Sequence, residues 1–268
     1  MTIRSTTYCF AIRHFLWLLM CTVLFVHSVH AQSDWPALGR DLGNQRHSPL
    51  TQINTSNVST LAPAWRYEMT KEGIPSRPSQ STPLMVDGVL YLSFPYYRVV
   101  ALEPESGDVV WEYTAPGDWN SPEHQLHWTG GSMRGLAYWE GDSVTAPQIV
   151  FGTEEGELIS LNATTGIPNA RFGNDGYVDL KTPDVMKDFP NMHYGISSGV
   201  AVYKHLVFTG VHNADETGSK GPAGDVRAWD LRTGDLVWTF HTVPRPGEVG
   251  NETWLNDSWR NVSGANTW

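Results

Sequence analysis

The strongest constraint on this chain is a repeat. The stretch Ala101-Leu102-Glu103-Pro104-Glu105-Ser106-Gly107-Asp108-Val109-Val110-Trp111 recurs as Ala228-Trp229-Asp230-Leu231-Arg232-Thr233-Gly234-Asp235-Leu236-Val237-Trp238, sharing the small residue, the acid, the Ser/Thr-Gly pair and the tryptophan. A third copy, Ser160-Leu161-Asn162-Ala163-Thr164-Thr165-Gly166, keeps the turn and lacks the tryptophan. Each copy reads as strand, tight turn and strand, with glycine accepting the positive φ of the reversal. Ahead of the copies lie further strand pairs: Leu84 to Leu92 around Asp87-Gly88, Gln148–Phe151 with Gly156–Ile159, and Val200–Tyr203 with Leu206–Phe208. Four strands per repeating unit make an all-β chain, and radial repetition of such sheets makes a β-propeller of four-stranded antiparallel blades. Trp111 and Trp238 read as packing groups that fill the wedge between neighbouring blades. About three and a half units are present, with Leu61–Tyr67 read as one outer strand whose partners lie elsewhere, too few to close a ring and hide its edges. The expectation is therefore an incomplete propeller, with a complete four-bladed ring as the alternative.

Composition agrees. Charged residues are only 17%, whereas 12 Trp, 10 Tyr, 25 Gly and 17 Pro favour short strands and many turns over long surface helices. With 18 Lys+Arg against 28 Asp+Glu the formal charge is -10, which repels phosphate backbones and excludes nucleic acid as an expected partner. Arg4 and Arg13 precede the apolar run Phe15–Val26, followed by His27-Ser28-Val29-His30-Ala31. That pattern reads as a secretory signal peptide over residues 1–31, cleaved after Ala31, because the run is shorter than the ~20 residues that span a bilayer. No transmembrane segment is expected in the mature chain, and the predicted location is periplasmic. Both cysteines, Cys9 and Cys21, fall in this leader, so residues 32–268 have neither disulfides nor thiolate chemistry.

Several motifs resemble the quinoprotein alcohol and glucose dehydrogenases, which bind pyrroloquinoline quinone (PQQ) and calcium in an eight-bladed propeller. They are Asp34-Trp35-Pro36-Ala37-Leu38-Gly39-Arg40 running on to Ser48-Pro49-Leu50, Arg134-Gly135-Leu136-Ala137-Tyr138-Trp139, Gly224-Asp225-Val226-Arg227-Ala228, and Trp238 to Glu248. The resemblance covers essentially all of residues 32–268. It implies the N-terminal half of such a domain and a PQQ-dependent oxidoreductase acting on a small-molecule alcohol or aldose sugar, with a quinone or cytochrome as electron acceptor. The aspartate that serves as base in such enzymes is expected beyond residue 268, so no catalytic residue is assigned and the chain alone is expected to be inactive. The rival reading is a non-enzymatic periplasmic scaffold or sensor that keeps the propeller for shape alone.

PQQ is planar and carries three carboxylates, so its socket needs flat apolar faces and fixed positive charge. By the resemblance, Arg134 pairs with a PQQ carboxylate, Ser197 places a hydroxyl on the cofactor, Gln80 lies on the quinone side, and Trp268 stacks on the ring. Calcium takes six to eight hard oxygens, and by the same resemblance Asp215, in Asn213-Ala214-Asp215-Glu216, is its ligand. The chain departs from the family at Ser198-Gly199-Val200, where Ser-Pro-Pro is commoner, and at Gly131-Ser132-Met133, where some relatives carry a cysteine pair. His124 and His127 read as loop histidines near the propeller mouth. There is no G-x-S-x-G elbow, no G-x-G-x-x-G fingerprint and no haem attachment motif.

Overall fold

The structure is a computed structural model and describes residues 34–70, 79–117, 134–212 and 220–264. Twelve strands in this part of the chain form three four-stranded antiparallel sheets, each built in simple sequence order. The first blade holds β1 (Leu84–Val86), β2 (Val89–Phe94), β3 (Arg98–Leu102) and β4 (Val109–Thr114). The second holds β5 (Ala137–Trp139), β6 (Gln148–Gly152), β7 (Glu157–Asn162) and β8 (Tyr177–Asp179). The third holds β9 (Ala201–Tyr203), β10 (Leu206–Thr209), β11 (Val226–Asp230) and β12 (Leu236–Phe240). A single turn of helix, α1 (Pro183–Met186), lies on the connection from the second blade to the third.

Burial explains which sequences occupy which strand. The third strand of blade 1, Arg-Val-Val-Ala-Leu, and the second of blade 2, Gln-Ile-Val-Phe-Gly, are buried at every position because sheets or loops cover both faces. The outer strand β4 alternates instead, turning Trp111 and Tyr113 inward and leaving Val109, Val110, Glu112 and Thr114 less covered. Two apolar clusters sit in the seams between blades. One joins Leu84, Val99 and Trp111 to Ile149, Phe151 and Leu161, and the other joins Val150, Leu158 and Leu180 to Ile196, Val207 and Trp229. Each such side chain contributes roughly 1.5–3 kcal/mol on burial.

The repeat also fixes how one blade grips the next. The Trp111 indole lies against Gly166 in the turn of blade 2, where a Cβ would come within 2.5 Å of the ring, and its Nε1 donates to the Ala163 carbonyl at 2.9 Å. Trp65 does the same at Gly107, donating to the Pro104 carbonyl at 2.9 Å. Gly234 instead meets Gly173 and Val178, because the second repeat has no tryptophan to offer. Trp238, which follows Gly234 at the same interval as Trp111 follows Gly107, is 40% exposed and tilts against Phe208. Blades 1 and 3 share a second signature, a register shift between Ala101 and Leu102 on β3 and between Ala228 and Trp229 on β11.

Two details differ from the sequence expectation. Leu61–Tyr67 forms no strand, since an outer strand needs a third strand of its own sheet to pair with and the described residues supply none; Trp65 still reaches its glycine. In blade 2 the pair Gln148–Phe151 and Gly156–Ile159 is the second and third strand, not the first and second. The inner strand is the short β5, hidden in the sequence by its length.

Gly166 has φ +71° and an indole in the way, whereas Gly88 has φ +77° and nothing within 4 Å of an added Cβ. Gly88→Ala is expected to cost about 1–2 kcal/mol, the backbone penalty alone, and Gly166→Ala to add about 1–3 kcal/mol for displacing the Trp111 ring. Urea denaturation of both variants measures the difference; equal losses would show that the indole contact contributes nothing.

Candidate functional site

In a blade wired in sequence order, the connections alternate between the two ends of the sheet. The tight turns after β1, β3, β9 and β11 lie at one end. The turns after β2, β6 and β10, together with the crossings from β4 to β5 and from β8 to β9, lie at the other. Gln80, Arg134, Ser197, Glu154, His193 and His212 come from this second end.

The segments entering the three inner strands run side by side there. Thr82 forms a parallel bridge with Gly135, and the Arg134 amide donates to the Ser197 carbonyl at 3.1 Å. Gln80, Arg134 and Ser197 thus hold equivalent places, three or four residues before β1, β5 and β9. The Arg134 Nε donates to the Gln80 Oε1 at 2.7 Å, aligning a guanidinium with an amide between the first two blades.

A cavity of about 530 Å³ opens beside this pair. Gln80, Thr82 and Leu84 line it from the first blade, Arg134 to Tyr138 from the second and Ser198 to Val202 from the third, with residues between Pro36 and Asn44 closing it. Its wall is mainly apolar, with Arg134 as its cation. Gly135 and Gly199 face each other, a Cβ on Gly199 falling 3.8 Å from the Gly135 Cα, so any side chain at either position would fill space the backbone leaves open. A planar polyanion with apolar faces fits these surroundings: Arg134 supplies charge, Gln80 orients it, and Leu38 and Val200 offer apolar contact.

The expected contact residues are therefore partly assembled. Gln80 and Arg134 are hydrogen-bonded at the cavity; Ser197 is buried at 5% exposure and joins through its backbone carbonyl, while its neighbour Ser198 lines the wall. Trp268, Asp215, His124 and His127 lie outside the described residues.

A second polar group at the same end was not anticipated. Glu154, in the turn after β6, is 7% exposed, and its Oε2 lies 3.6 Å from His193 Nε2 and 3.7 Å from His212 Nδ1. Tyr97, in the turn after β2, accepts the Glu154 amide hydrogen at 3.0 Å. Burial, helped by the carboxylates of Glu155 and Glu154, pushes the Tyr97 phenol well above its ordinary value. The missed signal was positional: Tyr97 and Glu154 occupy corresponding turns of successive blades, and His212 follows the corresponding strand of the third.

Below this end, Arg227 is 1% exposed and ties blade 3 to blade 2. Its Nη2 donates to the Leu180 carbonyl at 2.8 Å and the Tyr194 hydroxyl at 2.7 Å, and its guanidinium lies 4.9 Å from the Trp229 ring centroid. Asp225, 2% exposed, is held by Arg245 at 3.2 Å. The Gly224-Asp225-Val226-Arg227 motif is thus explained by packing between blades.

Residues 35–268 match the family model described as "PQQ: Glucose/ethanol/alcohol dehydrogenase, beta-propeller domain". The chain belongs to this family. It is 32% identical over 248 residues to the dehydrogenase subunit of the quinone alcohol dehydrogenase of Gluconobacter oxydans (strain 621H), an alignment covering 87% of this chain and 30% of that protein. It is also 32% identical over 225 residues to the quinoprotein glucose dehydrogenase of Escherichia coli (strain K12), covering 78% and 27%. Among solved structures, the quinohemoprotein alcohol dehydrogenase of Comamonas testosteroni superposes with a TM-score of 0.62 at 28% identity, over 84% of this chain and 30% of that one. The chain thus spans about 30% of the length of these PQQ-family relatives. No helix among the described residues is long and apolar enough to cross a membrane.

Two phenols near the site report on its burial. Tyr138, on the cavity wall, is pushed up to about 12 by burial and then by Asp87 and other neighbours; Tyr194 reaches about 12 by burial against the downward pull of Arg227. A raised folded-state value means the native protein keeps protons that the unfolded chain releases. This contribution to stability is intact below pH 10 and lost as pH rises through about 12. Urea midpoints are expected to fall across that window, with phenolate absorbance appearing alongside unfolding. Native-state ionisation of both phenols near 10 would contradict the burial.

Proposed function

We propose that this chain forms one side of a PQQ socket in an exported dehydrogenase that oxidises a primary or secondary alcohol or an aldose sugar and passes the electrons to a quinone or cytochrome. The observation that carries the reading is the Arg134–Gln80 pair at the rim of a 530 Å³ apolar cavity ringed by three inner strands, in a chain of the PQQ family. The chemistry the cofactor supplies when bound is acceptance of a hydride from the CH–OH carbon, while the hydroxyl proton leaves to a base.

This chain's own residues would bind and orient. Arg134 pairs with a carboxylate at short range, where a fixed guanidinium is most effective in an apolar wall. Gln80 holds the guanidinium plane by accepting its Nε hydrogen. Gly135 and Gly199 let the backbone approach a flat ring, and Leu84, Leu136 and Val200 exclude water from it. Ser198 stands on the wall and Ser197 behind it. Trp268 is proposed as the ring-stacking platform and Asp215 as a calcium ligand, both supported by the motif resemblance alone. The group of metal-type side chains among the described residues, buried Glu154 with half-buried His193 and His212, offers too few oxygens for calcium.

Titration of the full chain with PQQ, followed by quenching of tryptophan fluorescence, tests the socket. Saturable quenching is expected, with Arg134→Ala weakening binding about 10–100-fold, the loss of roughly 1.5–3 kcal/mol for one charge-assisted hydrogen bond. Arg134→Lys is expected to recover only part of this, since an ammonium lacks the planar fork. Quenching that ignores both variants would move the cofactor elsewhere, and its absence would favour a scaffold.

Export is proposed from Arg4, Arg13 and the Phe15–Val26 run. Mass spectrometry of protein recovered from the periplasm of a bacterial host is expected to show Gln32 as the first residue. An intact leader on that protein would overturn the cleavage site.

A further inference from the structure

We infer that Glu154, His193 and His212 form a binding site for a divalent transition-metal ion of the zinc class, which clamps the second blade to the third. The inference does not rest on the PQQ reading. One oxygen and two imidazole nitrogens, each from a different loop, converge so that all three candidate ligand atoms lie within 4.8 Å of one another. Tetrahedral coordination at zinc–nitrogen and zinc–oxygen distances of about 2.0–2.2 Å separates its ligand atoms by about 3.4 Å. Glu154 Oε2 already stands 3.6 Å from His193 Nε2 and 3.7 Å from His212 Nδ1, within a few tenths of an ångström of that spacing, and closing around an ion further requires the two imidazole nitrogens, within 4.8 Å of each other, to approach by a turn of the rings.

The loops that present these atoms are held independently. The Glu154 turn is pinned by Thr153 N to Glu157 O at 2.9 Å and by the Glu154 amide on the Tyr97 hydroxyl at 3.0 Å. His193 follows the turn Phe189–Met192 on the crossing from β8, and His212 is fixed by a reciprocal pair of backbone bonds with Gly195, at 3.0 and 2.7 Å. The two rings meet edge to face with centroids 5.1 Å apart, which leaves their facing nitrogens directed towards the same carboxylate.

Donor chemistry selects the ion. Two nitrogens and one carboxylate oxygen suit zinc and its neighbours, whereas calcium and magnesium ask for oxygen alone. Three protein ligands leave one position for water. Glu154 belongs to blade 2 and His212 to blade 3, so an ion here spans the seam and stabilises the folded state by mass action.

The test uses untagged full-length protein stripped with chelator. Calorimetric titration with Zn²⁺ is expected to show one ion per chain and a melting temperature that rises with Zn²⁺ concentration. Co²⁺ should give the visible absorption of a four-coordinate site, displaced by Zn²⁺ and untouched by Ca²⁺. Glu154→Gln and His193→Ala should each weaken Zn²⁺ binding by about 10–100-fold or more, since losing a ligand costs at least as much as losing an outer partner. X-ray absorption of the Zn²⁺-loaded wild-type protein should show two imidazoles, a readout that survives even if a variant fails to fold. Absence of stoichiometric binding, binding unchanged in both variants, or an absorption spectrum without imidazole would overturn the site. PQQ titration is read separately, so failure here leaves the quinone reading as it stands.

Discussion

Everything in this chain depends on an indole lying flat against a turn that has no side chain. Trp65 on Gly107 and Trp111 on Gly166 each bring a large apolar plane to the one residue type whose positive φ and missing Cβ permit the contact, and each indole N–H is satisfied by a carbonyl of the same turn. The glycine therefore does two jobs at once: it reverses the chain within its own blade and receives the preceding one. This is why the repeat unit in the sequence straddles a turn, and why the tryptophan follows the glycine of its own copy yet docks on that of the next. Where the copy in blade 2 lacks the tryptophan, the seam is closed instead by Gly173, Val178 and the buried Arg227, whose hydrogen bonds to Leu180 and Tyr194 cross from one blade to the other.

Stacking blades by this rule determines where chemistry can occur. Antiparallel strands in simple order send every second connection to the same end, so residues far apart in sequence become neighbours there without any dedicated scaffold. Gln80, Arg134 and Ser197 are separated by more than fifty residues each, yet they hold the same place in three successive blades and are joined through Thr82–Gly135 and Arg134–Ser197 backbone contacts. The site follows from the repeat by geometry.

The sequence made the repeat unit plain because its signals are local. Asp87-Gly88, the Ser/Thr-Gly turns and the alternating apolar residues each act within a few positions, and they led correctly to four-stranded antiparallel blades. Arg134 and Gln80 were named through motif resemblance, and their hydrogen bond could not have been read from spacing. β5 was missed as a strand because three residues show no periodicity. Leu61–Tyr67 was over-read because alternation alone does not supply a pairing partner. The Glu154–His193–His212 group was invisible for a different reason: its members come from three loops of unequal length, so no fixed interval links them. Only aligning the blades by their turns would have brought Tyr97, Glu154 and His212 to a common end.

The two polar groups at that end answer opposite electrostatic problems. A chain of net charge -10 repels a tricarboxylate at long range, but screening reduces that repulsion beyond a distance of about 8–10 Å. What decides binding is the short-range field, and there Arg134 stands at the cavity rim with its guanidinium held by Gln80. Glu154 poses the reverse difficulty, a carboxylate at 7% exposure whose charge must be compensated, and two imidazole nitrogens stand 3.6 and 3.7 Å from it. The Arg134–Gln80 pair beside the cavity and the Glu154 cluster on the seam thus carry opposite charge at the same end. Both arrangements rest on loops whose ends are set by the strands beneath, so the precision of the site is inherited from the packing of the blades.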